Sequence, residues 1–105
     1  MNRLSTHILD TSLGKPAAGV PVHLFESQRE ISSAETDTDG RCQNLLSAGM
    51  SLAPGIYQIV FDVGAYLPDG LYPEVSISFK VKEGVAHYHI PLLLSPFGYT
   101  TYRGS

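Results

Sequence analysis

Four segments of the chain carry side chains able to move a proton or hold a polar ligand. The first, residues 4 to 11, reads Leu-Ser-Thr-His-Ile-Leu-Asp-Thr, where an extended backbone would put His7 on one face with Ser5 and Leu9. The second, Thr-Asp-Thr-Asp-Gly-Arg at 36 to 41, has a tight Asp39-Gly40 turn that delivers Arg41 to the start of a strand. The third is His-Tyr-His-Ile-Pro-Leu-Leu-Leu at 87 to 94, with imidazoles at i and i+2. The fourth is the chain end, Tyr102, Arg103, Gly104 and Ser105, dense in aromatic and hydrogen-bonding groups. An imidazole titrates near 6.5 and can take or give a proton at neutral pH. A guanidinium keeps its charge up to about pH 12 and above, so Arg41 can act only electrostatically. Each segment also has a plainer use: a strand histidine is more often structural, Arg41 reads as a solvated strand-end cation, and chain ends usually fray.

Metal chemistry competes for the same residues. His87 and His89 on one strand with His7 as third ligand would suit zinc, but Cys42 stands alone and nothing else has metal spacing. A calcium loop fails, because aligning Glu35, Asp37, Asp39 and Gly40 with one puts Leu46 where a bidentate Glu is needed. No metal and no cofactor are expected. Ser105 is expected to bind rather than attack, since no strand-to-helix elbow or Ser-His-Asp pattern accompanies it.

The elements that must position these groups are short strands. Turn residues recur at Gly14 to Gly19, Asp39-Gly40, Pro54-Gly55, Pro68-Asp69-Gly70 and Glu83-Gly84. Val75, Ile77, Phe79 and Val81 alternate with Ser76, Ser78, Lys80 and Lys82, and Val20, Val22 and Leu24 alternate likewise, the period of two of a half-buried strand. Further strands are predicted at 4–9, near 30–37, and at 41–46, 56–63, 87–94 and 98 to the end. Eight strands with connections too short for crossover helices predict an all-β fold of antiparallel sheets packed as a sandwich, with little or no helix.

On the seventh strand Tyr88, Ile90, Leu92 and Leu94 share one face, and His87, His89, Pro91 and Leu93 the other. An outer face carrying Pro and Leu beside two histidines predicts a covering partner, most simply another subunit. His87, at the strand's start, is expected to be the more exposed of the pair. Pro91 lacks a ladder donor and predicts an edge strand or bulge.

Composition bounds the rest. One domain spanning residues 1–105 is expected, with 43% apolar and 16% charged residues. Net charge is −3 with no basic cluster, which argues against nucleic acid, and no stretch approaches the roughly 20 apolar residues of a membrane span. The single cysteine cannot form an internal disulfide, which favours the cytoplasm; a periplasmic location would require a signal peptide already removed. Cys42 reads as a small, buried or half-buried strand residue.

Together the four segments resemble the 5-hydroxyisourate hydrolases of the transthyretin-related family. The matching features are the Leu-Ser-Thr-His-Ile-Leu-Asp start followed by Gly-Lys-Pro-Ala, the Thr-Asp-Thr-Asp-Gly-Arg turn, the His-Tyr-His-Ile-Pro-Leu-Leu strand and the terminal Tyr-Arg-Gly-Ser. The likeness runs from residue 4 to 105 and includes Tyr-Pro-Glu-Val at 72–75 and Phe79. The terminal tetrapeptide is the specific element, because transthyretin, the hormone-carrying relative, shares the fold and the Leu-Leu-Ser-Pro strand end but lacks it.

That resemblance implies a transthyretin/prealbumin-like sandwich of two four-stranded antiparallel sheets whose first, fourth, seventh and eighth strands share a sheet, with the small helix of transthyretin reduced or missing after Val63. It implies hydrolysis of 5-hydroxyisourate to 2-oxo-4-hydroxy-4-carboxy-5-ureidoimidazoline in urate degradation, a branch of purine metabolism. The implied catalytic residues are His7, Arg41 and His89, with Tyr102, Arg103, Gly104 and Ser105 binding the substrate in a homotetramer whose sites lie between subunits. His7 and His89 are left open as general base. The alternative is a non-catalytic transthyretin-like carrier of small aromatic ligands.

Overall fold

The computed structural model describes residues 2–105. Its strands are β1 Arg3–Asp10, β2 Lys15–Pro16, β3 Pro21–Glu26, β4 Arg29–Glu35, β5 Arg41–Cys42, β6 Gly55–Phe61, β7 Val75–Val81, β8 His87–Ser95 and β9 Gly98–Thr101, with a 3-10 turn at Val63–Ala65. One sheet runs β2-β1-β8-β9, with β5 also paired to β1; the other runs β4-β3-β6-β7. The core lies between them, and Leu4, Ile8, Leu24, Ile59, Phe61, Leu92 and Leu94 are fully buried. Each such side chain contributes roughly 1.5–3 kcal/mol of transfer free energy.

The sandwich and its minimal helix follow the alternating pattern, with differences that bear on the site. The sheets are antiparallel except for β1 and β8, which run parallel over eight residue pairs, from Arg3 opposite His87 to Asp10 opposite Leu94. The expected strand at 41–46 ends at Cys42. Asn44 interrupts it: its Oδ1 accepts from the Leu46 and Leu4 amides, and the Leu45 amide donates to the Leu4 carbonyl, so side-chain bonding replaces the ladder.

Pro91 is not on an edge strand. β8 lies inside the sheet, and the missing donor instead opens the β8–β9 ladder. Pairing runs from Ser95 opposite Gly98 to Leu92 opposite Thr101, lapses past Pro91, and returns as a single bridge between His89 and Gly104. The Pro91 carbonyl is satisfied by the Thr101 hydroxyl at 2.8 Å. The expected last strand is shortened for the same reason.

Asp10 ties the end of β1 to the 3-10 turn. It is fully buried, its Oδ1 accepting from the Ser12 and Leu13 amides and the Ser12 hydroxyl, and its Oδ2 from the Tyr66 hydroxyl at 2.8 Å. Burial alone would raise its pKa, but these four donors together hold the carboxyl below its ordinary value of 3.8.

Candidate active site

The candidate site lies on the outer face of the first sheet. On β1 the even residues Leu4, Thr6, Ile8 and Asp10 are buried inward, and on β8 so are Tyr88, Ile90, Leu92 and Leu94. The odd residues therefore share the other face, and the parallel register sets Arg3, Ser5 and His7 beside His87, His89 and Pro91. Ser5 Oγ is held between two imidazoles, 2.7 Å from His87 Nε2 and 2.8 Å from His89 Nδ1. Ser5 is only 7% exposed, and His87 and His89 are half-buried. His87 is thus bonded to Ser5 while remaining half-buried at the start of β8.

Arg41 arrives from the opposite side of β1, where it pairs with His7. The turn before it is held by Asp37, whose Oδ1 accepts from the amides of Asp39 and Arg41 and whose carbonyl accepts from Gly40. Gly40 adopts φ +73°, and a Cβ there would stand 2.5 Å from the Ile8 carbonyl oxygen. Only glycine meets both demands. Among the described residues no group of three or more His, Cys, Asp or Glu side chains is placed to hold a metal.

The chain end closes the fourth side. Gly104 bridges His89, its amide donating to the His89 carbonyl at 2.9 Å. A Cβ on Gly104 would lie 2.3 Å from His89 Cδ2 and 3.1 Å from Pro91 Cγ, so the glycine is what lets the terminal segment lie against the His89 imidazole. Arg3, Ser5, Arg41, His87, His89 and Ser105 border a cavity of about 330 Å³, within the range of small-ligand sites. His7 sits on the same face beside it.

Burial, and then the charges of His87, His7 and Arg41, hold the His89 pKa below 6.5. Burial and Arg3 do the same for His87. Both rings are therefore neutral at neutral pH, able to accept a proton or donate a hydrogen bond. Cys42 borders the cavity too, but burial and then Asp37 push its thiol up to about 11, so it carries no thiolate for attack.

The profile of the HIUase/Transthyretin family matches residues 4–104. The chain belongs to the HIUase/transthyretin family. A relative from Rhizobium meliloti named 5-hydroxyisourate hydrolase 2 is 43% identical, the match covering 98% of this chain and 96% of that one. The solved structure of Klebsiella pneumoniae 5-hydroxyisourate hydrolase superposes with a TM-score of 0.90 at 33% identity, covering 99% of this chain and 100% of the other. Sea bream transthyretin in complex with thyroxine superposes with a TM-score of 0.89 at 30% identity, covering 97% and 94%. Backbone shape thus does not separate the two named branches of the HIUase/transthyretin family, and the side chains of the site must do so.

Of the residues singled out in the sequence, His7, Arg41, His89, Gly104 and Ser105 come together on this face. Tyr102 and Arg103 do not border the cavity. They lie along an adjoining groove of about 280 Å³ at the sandwich edge, where the Arg103 guanidinium stands 5.7 Å from the centroid of the Tyr88 ring. Ser5 and His87 are site members that the motif reading passed over. Their signal was the shared face of Ser5 and His7 and the i, i+2 histidines, but only the β1–β8 register joins the two.

Proposed function

We propose that this chain hydrolyses 5-hydroxyisourate to 2-oxo-4-hydroxy-4-carboxy-5-ureidoimidazoline in urate degradation. The observation that carries the reading is the pair of neutral imidazoles gathered on Ser5, with Arg41 on the same face and the terminal Gly104-Ser105 against His89. Opening a ring amide requires a proton acceptor for water, a fixed charge for the developing oxyanion, and a donor to the leaving nitrogen. His7, Arg41 and His89 are assigned to these tasks, each acid–base contribution being about 10²- to 10⁴-fold. Arg41 supplies permanent charge and disfavours protonation of His89. Ser105 binds a polar edge of the planar substrate. Tyr102 and Arg103 are assigned to the same binding wall, reached across a subunit boundary.

A homotetramer with the site between subunits is part of the proposal. Exposed Leu13, Phe97, Tyr99 and Tyr102 on and around this sheet support it, and light scattering of the purified protein measures it. The lone buried cysteine supports a cytoplasmic location, or a periplasmic one after loss of a leader.

The test is an ultraviolet time course of freshly generated 5-hydroxyisourate with the native protein and with His89→Ala. Accelerated loss that the variant abolishes is the expected result. Decay at the spontaneous rate in every sample would defeat the hydrolase reading and favour a carrier of small aromatic ligands.

A further inference from the structure

Between Arg3 and His89 runs a line of hydrogen-bonding groups whose direction is set by its first member. Arg3 Nη2 lies 3.4 Å from His87 Nδ1, His87 Nε2 lies 2.7 Å from Ser5 Oγ, and Ser5 Oγ lies 2.8 Å from His89 Nδ1. A guanidinium has donors and no acceptor. At 3.4 Å its influence on Nδ1 is chiefly that of its charge, which favours a lone pair over an N–H there. A neutral imidazole with a bare Nδ1 carries its proton on Nε2, so His87 donates to Ser5. The Ser5 hydroxyl has one proton, and with His87 occupying an acceptor position it donates to His89 Nδ1. His89 is left with its proton on Nε2. Among the described residues no protein group bonds that nitrogen, and it is not among the buried unpaired atoms.

We propose that Arg3, His87 and Ser5 are positioning residues that hold His89 as the Nε2–H tautomer, making it a hydrogen-bond donor to the substrate and leaving His7 to accept the proton of water. The reverse arrangement would aim a His87 N–H at Arg3. A neutral N–H donor beside Arg41 also avoids setting an imidazolium against a guanidinium while still polarising a substrate oxygen. Ser5 itself is not a nucleophile here: it is 7% exposed and both its neighbours engage its oxygen. The substrate named rests on the hydrolase reading above, but the tautomer is a property of the free protein.

Two substitutions separate the directions. His87→Gln can keep a donor at the Nε2 position, whereas His87→Glu puts an acceptor there, so that Ser5 donates to Glu and His89 must donate from Nδ1. Long-range proton–nitrogen NMR spectra of the imidazoles, recorded on the free protein above the histidine pKa range, report the tautomer. The expected result is Nε2–H for His89 in the native protein and in His87→Gln, and Nδ1–H in His87→Glu. The Glu variant should lose on the order of 10²-fold in kcat with a smaller change in KM, and the Gln variant should recover about tenfold or more of that loss. A native His89 protonated on Nδ1, or two variants alike in tautomer and kcat, would overturn the proposal. Should His87→Glu fail to fold, the native spectrum still decides. A native protein with the Nε2–H tautomer but no turnover of 5-hydroxyisourate would refute the substrate while supporting the positioning chain.

Discussion

Gly104→Ala isolates the contact between the chain end and His89. The added methyl would lie 2.3 Å from His89 Cδ2, about 1 Å inside ordinary van der Waals contact, and tightly against Pro91 Cγ at 3.1 Å. Pro91 is buried and cannot retreat, so one of two things must move. If the imidazole turns, its 2.8 Å bond to Ser5 breaks; if the terminal segment lifts, the Gly104 amide leaves the His89 carbonyl and Ser105 leaves the cavity. A misplacement of about 1 Å in a reacting group costs on the order of 10²-fold. At about 1.36 kcal/mol per tenfold, that is about 2.7 kcal/mol of transition-state stabilisation. The fold should suffer less, because the contact sits at the chain end; a loss of about 1 kcal/mol lowers Tm by roughly 4–8 °C in a domain of this size. The assay pairs kcat/KM from the ultraviolet time course with a thermal melt. A variant within about twofold of native kcat/KM would refute the packing argument, because an error of about 1 Å leaves no room for that outcome. So would a loss that merely tracks unfolding at the assay temperature.

Three other expectations follow from the same geometry. Gly40→Ala meets both a positive φ and the Ile8 carbonyl, so it should destabilise by about 1–3 kcal/mol and displace Arg41, seen as a lower urea midpoint together with reduced kcat/KM; an unchanged midpoint would contradict it. Because burial holds the His87 and His89 pKa values below 6.5, the unfolded chain binds more protons than the folded one just below that value, so stability should fall as pH drops through it, and the two rings should titrate with midpoints below 6.5 in NMR spectra of the folded protein; midpoints above it would refute the reasoning. Asp10 has a depressed pKa, so its contribution is complete above the unfolded value of 3.8 and drains away as pH falls through the folded one. Tyr66→Phe removes one donor to that carboxylate and should cost about 1–3 kcal/mol at neutral pH and less in acid, by urea unfolding at both; equal losses at the two would count against it.

Much of the architecture was legible because strand alternation is local. Val75, Ile77, Phe79 and Val81 announce β7 with its bounds, and the Asp39-Gly40 turn announces the arrival of Arg41. The resemblance set β1 and β8 in one sheet, but their parallel pairing and its register were not legible, since nothing in either segment encodes a parallel partner more than eighty residues away. Ser5 and His87 were missed as site members for that reason: each is ordinary alone, and they meet only through that register. Pro91 was read as a ladder breaker that needs an edge strand or a bulge; the strand is not an edge, and the missing donor is met by an interruption of the β8–β9 ladder. Tyr102 and Arg103 line the adjoining groove, a placement that the terminal motif does not reveal.

The parallel pair is also what makes the site precise. Arg41, His7 and Pro91 form one row across β5, β1 and β8, and Ser5, His89 and Gly104 form the next row across β1, β8 and the chain end. His7 and His89 therefore sit on a diagonal, one strand over and two residues along. A slip of one residue between β1 and β8 would turn every odd side chain of one strand inward and destroy both rows. It would also expel Leu4 and Ile8, or Leu92 and Leu94, from the core. At roughly 1.5–3 kcal/mol for each displaced side chain, the slipped pairing is strongly disfavoured. The apolar residues on the inner face thus hold the alignment of the polar residues on the outer one, and the geometry of the site rests on core packing as much as on its own hydrogen bonds.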